Sequence, residues 1–446
     1  MEVVVAQARF KEISFEKVVQ QLDERWIEEA LEATGTATIR TRRLPAEQVV
    51  WLVLGLALYR DESIAGIVTK LGLALPGTRG LSVAPSSIPA ARDRLGPEPM
   101  QWLFEKCARK WAMESAERHQ WRGLKLFGID GTSLRVPDSV ANREHFGGHS
   151  GGDGRGQSGY PLVRGVALMA LRSHLLAGFT FAPYAKSEQE LAKELRPLVP
   201  DNSLCIADRA FLSPSFLVPF ANGGSNRHWM TRAKKNTRWR VLKKLGEGDW
   251  LVEMETSGAA RKADPKLPPT WTARAVRYQR PGFKPQTILT SLTDPLRWPG
   301  SELAALYHER WEIELGFDEI KTEILEREES LRSKSPDGVS QELWGMALLY
   351  NLVRLEMERI AALAKVPPNR ISFVTALRSI KDCWFWASLS SPGTIPKRLR
   401  RMREDILRFV LPPRRSHRLF RREVKIKMSK FPRKRTAATH PGVALN

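Results

Sequence analysis

Apolar residues recur every three or four positions through the first 120 or so residues, and this helical period gives way to alternation near Leu124. The spacing predicts helices from Ser14 to Ala33, Pro45 to Tyr59 and Ser63 to Leu73. Leu75 to Ser87, rich in Gly, Pro and Ser, reads as a loop. A short helix from Ser87 to Leu95 follows and carries the paired arginines Arg92 and Arg94. Helix, loop and basic helix suit a DNA-reading helix-turn-helix, and more often an ordinary helical bundle.

Lys125 to Val136 reads as a strand interrupted by Asp130-Gly131. A carboxylate within an apolar run must face a cleft, a metal or a hydrogen-bonding turn. Asp-Gly is also a hairpin-turn pair, and the two readings stand level here. The glycine-rich stretch Gly147 to Gly159 holds His149 and Asp153, with His145 just before it, but lacks a phosphate-loop motif and reads as a solvated lobe. Val163 to Leu171 and Leu175 to Tyr184 are expected strands joined by a turn at Arg172-Ser173-His174. Ser187 to Leu198 is an amphipathic helix with Ser187 as N-cap and Glu190 at the capping-box position.

Ser203 to Asp208 is a short apolar strand ending on a carboxylate, with Arg209 next. Ligand sites form at such strand ends in α/β sheets, although a capping or Arg209-paired aspartate is the plainer alternative. From Arg227 to Gln286 short alternating runs, among them Trp250 to Met254 and Thr270 to Tyr278, flank a polar loop from Gly258 to Pro269. This is a small β insertion carrying Trp229, Trp239, Trp250 and Trp271 among many Lys and Arg. Such interleaving suits phosphates and stacked bases, while any single Trp more often packs the insertion's own core. Thr287 to Leu292 resumes the sheet, and Leu343 to Leu363 is a long helix from which Arg354 could project charge.

Between these lies Tyr307 to Lys321, a proline-free run punctuated at its start by Pro299-Gly300-Ser301, with Ser301 the expected N-cap. At 100° per residue, Tyr307, Arg310, Glu314 and Lys321 share an arc of roughly 60°. Leu306, Ile313, Phe317, Ile320 and Ile324 fill the adjoining arc. Glu309, Glu312 and Glu319 point to the far side, which selects Glu314, with Asp318 the nearest acidic rival. A solvated helix with an Arg310–Glu314 pair is the plain alternative.

Charge narrows the partner. The 446 residues hold 71 Lys+Arg against 49 Asp+Glu, a net charge of +22, which implies a polyanion and most simply nucleic acid. The longest apolar candidate, Val49 to Tyr59, is too short to span a membrane, and no leader is evident, so a cytoplasmic protein without a membrane partner is expected. Three widely spaced cysteines fit no zinc pattern and suit a reducing compartment, where they pack as buried thiols. Basic runs crowd Pro396 to Arg435, an arm suited to phosphate.

Asp130 on a first strand, Asp208 on a later one and Glu314 on a helix after a β insertion stand in a ribonuclease-H-like order. Three converging carboxylates are satisfied by hard divalent cations, Mg²⁺ or Mn²⁺. Two such ions can activate an attacking oxygen and stabilise a leaving oxygen at phosphorus. The expected fold class is α/β: a ribonuclease-H-like catalytic domain (121–226 and 287–375) interrupted by the β-rich insertion (227–286). An N-terminal helical domain (1–120), suited to binding DNA ends, precedes it, and a helical, basic C-terminal region (376–446), suited to DNA contact or dimerisation, follows.

Tyr307-x2-Arg310-x3-Glu314-x6-Lys321 resembles the Tyr-Arg-Glu-Lys signature of the insertion-sequence-four family of bacterial DDE transposases. Gly128-Ile-Asp130-Gly-Thr and Ala207-Asp208-Arg-Ala-Phe resemble that family's two catalytic-Asp motifs. The resemblance, over residues 120 to 360 or so, implies cut-and-paste transposition with two Mg²⁺ ions, Mn²⁺ being able to substitute. It implies a homodimer acting on double-stranded DNA, both transposon ends and target, in the bacterial cytoplasm and on the nucleoid. Asp130, Asp208 and Glu314 would ligate the metals, Arg310 and Lys321 would hold end phosphates, and Tyr307 and Arg209 would contact DNA. Trp250 is one of three candidates, with Trp239 and Trp271, for stacking on a flipped base, and the route of second-strand cleavage stays open. Two other classes compete: a nuclease that cuts without joining, and a catalytically silent DNA-binding protein.

Overall fold

The alternating segments form strands β1 (Lys125–Arg135), β2 (Leu162–Ala170), β3 (Leu175–Pro183), β4 (Ser203–Ala207), β5 (Arg227–Arg232), β6 (Arg240–Gly246), β7 (Asp249–Glu255), β8 (Thr270–Tyr278) and β9 (Gln286–Thr290). The structure is a computed structural model and describes residues 22–37, 44–71, 86–148, 159–280, 284–326, 330–388 and 392–412. Among these residues the strands make one nine-stranded sheet in the order β3-β2-β1-β4-β5-β9-β8-β7-β6. β1, β2 and β3 are an antiparallel meander, and β4 and β5 add in parallel.

β1 runs unbroken through Asp130-Gly131, which pair with Ala167 and Val166 on β2, so the hairpin reading of that dipeptide does not hold. Gly131 packs closely under Glu188, whose carboxyl carbon would lie 2.3 Å from an added Cβ. Ile129 on β1 stands beside Ala207 on β4. The next residues, Asp130 and Asp208, therefore lie side by side at the same end of two parallel strands.

Arg227–Arg232, at the start of the expected insertion, pairs in parallel with β4. Its Trp229, Met230 and Thr231 are buried, as a strand covered on both faces requires. The insertion-like strands β6, β7 and β8 rejoin the sheet through β9, which bonds to both β5 and β8.

Helices form along the expected helical stretches and at two places outside them, Val140–Phe146 and Gly258–Ala263. They are α1 (Glu24–Ala33), α2 (Ala46–Leu58), α3 (Ile64–Lys70), α4 (Ser87–Leu95), α5 (Glu98–Arg118), α6 (Val140–Phe146), α7 (Glu188–Leu195), α8 (Pro214–Asn222) and α9 (Gly258–Ala263), the last within the expected polar loop. Beyond the sheet lie α10 (Gly300–Leu306), α11 (Trp311–Asp318), α12 (Pro336–Ala364), α13 (Phe373–Ser388) and α14 (Ile395–Leu407). At α7 both halves of the Ser187–Glu190 capping box are made. The nearly wholly buried α12 packs on α2, α5 and β3. It passes so close to α2 that a Cβ on Gly345 would sit 2.7 Å from Val53.

Two arginines are claimed by polar groups inside the fold, Arg92 in keeping with the helical-bundle reading and Arg354 against the expectation of projecting charge. Arg92 donates to Gln341 (3.1 Å), Ser333 (3.0 Å) and the Gly338 carbonyl (3.2 Å), so it braces α4 on α12 rather than facing outward to DNA. Arg354 is buried and bonded to Glu319, Tyr350 and His174 instead of projecting charge. All three cysteines are free and buried. No helix among the described residues is long and apolar enough to cross a membrane. His149, Asp153, most of the loop from 75 to 87, the first residues of the helix expected from 14, and the tail beyond 412 lie outside the described residues.

Candidate active site

The segment expected as one continuous helix is built in pieces. α10 starts behind Pro299, with Ser301 already inside it rather than capping it. A tight 3₁₀ turn covers Tyr307–Arg310, α11 follows, and a wide π turn covers Glu319–Ile324. The stripe Leu303, Leu306, Ile313, Phe317, Ile320 and Ile324 is buried throughout. The changes of pitch alter the angular arithmetic most beyond Asp318. Lys321 is half-buried in the π turn.

Asp130 is half-buried, and its Oδ1 accepts the Gly131 N–H at 2.8 Å. Burial pushes its carboxyl up to about 7; the Gly131 bond and Arg310 oppose the shift, while Asp208 and Glu314 add to it. These four side chains thus lie within electrostatic reach of one another. Asp208 caps a short 3₁₀ turn, its Oδ1 accepting the Ala210 N–H at 2.5 Å, so the capping alternative describes part of what it does. Glu314 is paired with Arg310 at 2.5 Å, and Arg310 also lies over the Trp311 ring, 4.7 Å from its centre.

Tyr307 is buried, and its hydroxyl donates to the Ala207 carbonyl at 3.5 Å, tying the helical segment to the end of β4. Burial pushes its phenol up to about 12, so it is neutral at physiological pH.

Beside Asp208 opens a cavity of about 380 Å³ lined by Asp208, Arg209, Arg232, Tyr278, Arg280, Lys284, Gln286, Tyr307, His308, Arg310 and Trp311. Five cations against one carboxylate make it a receptacle for anions. His308 adds no charge near neutral pH, because burial, with Arg280 and Arg310 nearby, lowers its pKa to about 4. Sequence reasoning named only Arg209 and Arg310 of the five cations. Arg232, Arg280 and Lys284 come from strands and loops whose convergence no local period reveals. Trp311 is 54% exposed. Its wheel position, about 40° from Tyr307, could have found it.

The insertion tryptophans are elsewhere. Trp229 and Trp271 are buried with ring centres 5.6 Å apart, Trp239 and Trp250 pack half-buried against the core, and none of the four lines the cavity. Among the described residues no three His, Cys, Asp or Glu side chains are grouped closely enough to enclose a metal ion. Glu314 is drawn instead to Arg310.

Asp130 and Asp208 thus follow neighbouring positions on two parallel strands, Glu314 is within electrostatic reach of Asp130, and a cationic cavity suited to anions opens beside Asp208. Residues 121–352 match the transposase DDE domain, and residues 12–105 match the N-terminal region of insertion element 4 transposases. The chain belongs to this insertion element 4 family of DDE transposases, enzymes of metal-dependent phosphoryl transfer on DNA. It is 40% identical over 414 residues to the transposase InsG for insertion sequence element IS4 of Escherichia coli, covering 92% of each chain. It is 38% identical over 218 residues to the putative transposase InsZ of the same organism, covering 49% of this chain and 71% of that one. Among solved structures, it matches the piggyBac transposase synaptic complex with hairpin DNA with a TM-score of 0.42 at 12% identity, over 92% of this chain and 86% of that chain.

Proposed function

We propose that Asp130, Asp208 and Glu314 are the metal ligands of a centre that cuts the ends of an insertion sequence and joins them to target DNA. The observation that carries this reading is the registered placement of Asp130 beside Asp208, with Glu314 close enough to bear on the Asp130 carboxyl. The donor set fits hard divalent cations: three carboxylates, one of which, Asp130, resists ionisation chiefly because it is buried and further because Asp208 and Glu314 lie near it. Two Mg²⁺ ions, or Mn²⁺ in their place, would activate the attacking oxygen and stabilise the leaving oxygen there.

The remaining roles belong to the chain's own side chains. Arg310 leaves Glu314 for a DNA phosphate, freeing the carboxylate to turn toward the aspartates. Arg209, Arg232, Arg280 and Lys284 hold phosphates at the end of the element, and Lys321 holds the strand beyond the π turn. Tyr307, neutral and anchored to β4, supports the backbone contact and is not a nucleophile. Trp311 rather than Trp250 presents an aromatic face to the cavity.

The fold assignment that accompanies this reading is a ribonuclease-H-like core of β1 to β5 and the helices on it, interrupted by β6 to β8. The helices before residue 120 bind the terminal repeats. The basic region after 376, with Lys397, Arg398, Arg400 and Arg401 exposed on α14, contacts DNA or a second subunit of a homodimer in the cytoplasm. The test is cleavage of a DNA fragment carrying the element's own end, with Mg²⁺ and a target plasmid, by native protein, Asp130→Asn and Glu314→Gln. The expected result is cleaved and joined products from the native chain alone, with end binding intact in all three. Cleavage by either variant at the native rate would refute the assignment, and cleavage without joining would make the protein a nuclease.

A further inference from the structure

The sequence places Glu309, Glu312 and Glu319 on the side of the helical segment away from Tyr307, Arg310 and Glu314, and none of the three has a part in the chemistry above. In the fold each is met by a basic side chain. Arg172 grips Glu309 with two bonds, Nε to Oε2 at 3.1 Å and Nη2 to Oε1 at 3.0 Å. His174 Nε2 lies 2.7 Å from Glu312 Oε2. Arg354 bonds Glu319, which also accepts the Tyr350 hydroxyl at 2.8 Å. Arg354 Nη2 lies 2.6 Å from His174 Nδ1. A guanidinium only donates, so Nδ1 accepts and the ring proton sits on Nε2, facing Glu312. The bonds thus run in one direction, from Arg354 through His174 to Glu312.

Arg172 and His174 belong to the turn between β2 and β3, which is itself fixed. The His174 N–H donates to the Ala170 carbonyl at 2.8 Å, and Arg172 also holds the carbonyls of His119 (3.3 Å) and Gln120 (3.0 Å) at the end of α5. His174 is 2% exposed and adopts φ +63°, a backbone conformation that a non-glycine residue holds only when its surroundings require it.

We infer that this turn, with Arg354, is a clamp that sets the rotation and height of the segment carrying Glu314. The inference rests on Glu314 as a working carboxylate. Glu309 and Glu312 precede Glu314 and Glu319 follows it, so the grip brackets it on both sides. An apolar stripe alone lets a helix roll or slide at small cost, whereas charged bonds of fixed direction admit one setting. A buried ionic network adds little net stability over apolar packing, which fits a positioning purpose. Arg172, His174 and Arg354 are positioning residues.

The test compares full-length native protein with His174→Phe, His174→Gln, Arg172→Gln and Glu314→Gln. It measures single-turnover cleavage of end DNA, affinity for that DNA, Mn²⁺ binding by electron paramagnetic resonance, and thermal melting. His174→Phe should cut at least tenfold more slowly and bind Mn²⁺ more weakly, with end affinity within twofold of native. His174→Gln, whose amide can donate to Glu312 and accept from Arg354, should recover most of the rate. Arg172→Gln, a change in a half-exposed pair, should lose rate severalfold in the same pattern, and decides the matter if His174→Phe does not fold. Native rates in both folded variants, or losses of cleavage and end binding in proportion, would overturn the clamp. A dead Glu314→Gln beside native-like clamp variants sinks the clamp alone; an active Glu314→Gln sinks the reading beneath it as well.

Discussion

Asp130→Asn should make the metal-free protein more stable while abolishing cleavage. An aspartate titrates near 4 in an unfolded chain, and burial lifts Asp130 to about 7 in the fold. The folded protein therefore binds the extra proton, and the stability this contributes is lost as pH rises toward and through about 7. Three units correspond to about 4 kcal/mol as a ceiling at 1.36 kcal/mol per unit. Water at the half-buried carboxyl reduces that to about 2 kcal/mol at pH 8, and to about half as much at pH 5. Asparagine keeps the acceptor for the Gly131 N–H, so little else changes. The assay is urea unfolding of both proteins in chelator at pH 5 and pH 8, repeated with Mg²⁺. In chelator the variant should lead by more at pH 8. With Mg²⁺ the order should narrow or reverse, because an ion that binds only the folded native protein stabilises it in proportion to the logarithm of its concentration. A variant less stable than native at pH 8 in chelator, or a difference independent of pH, would refute the reasoning.

Other perturbations separate structure from chemistry. Arg274 is fully buried, paired with Asp249 through Nε (2.8 Å) and Nη2 (2.5 Å), and bonded to the Trp298 carbonyl at 2.7 Å. Arg274→Met should cost about 3–5 kcal/mol by stranding Asp249, and Asp249→Leu in the same chain should restore part of the loss, as read by thermal melting. Tyr307→Phe should keep cleavage within about tenfold of native, since removing one neutral hydrogen bond costs about 1 kcal/mol; a tyrosine-linked DNA adduct from the native protein would contradict this. Replacing Lys397, Arg398, Arg400 and Arg401 by Gln should reduce the salt dependence of DNA binding by up to about 3–4 units of log–log slope if all four meet phosphates. An unchanged slope would remove α14 from the DNA contact.

What sequence could reveal was set by range. The Ser187–Glu190 cap lies within four residues, and β8 opens with an alternating run, so the expected bounds of Thr270 to Tyr278 coincide with those of the strand. β6 was passed over because Arg240 to Lys244 are exposed on both faces and carry no alternation. The side-by-side placement of Asp130 and Asp208 needed the register of two strands far apart in the chain. Local spacing could suggest each carboxylate separately and could not pair them. The same limit hid the fate of Arg354. A charged residue in an apolar helix looks like projecting charge until its partners, Glu319 one helix earlier and His174 in a distant turn, are brought to it. The arc drawn around Tyr307 separated near-side from far-side glutamates, because that distinction survives modest changes of pitch. Lys321 falls in the π turn, a change of pitch that local spacing did not signal.

The ladder from β4 through β5, β9, β8 and β7 to β6 acts as a ruler. Those five steps between neighbouring strands, at about 4.8 Å each, span roughly 24 Å, close to the rise of about seven base pairs of B-form DNA. A duplex laid along the ladder with its end at Asp208 would meet the basic outer strand β6 about seven pairs inward. Backbone hydrogen bonds join each strand to the next across that interval. A terminal repeat lengthened or shortened by one or two pairs inside that span would be presented out of phase.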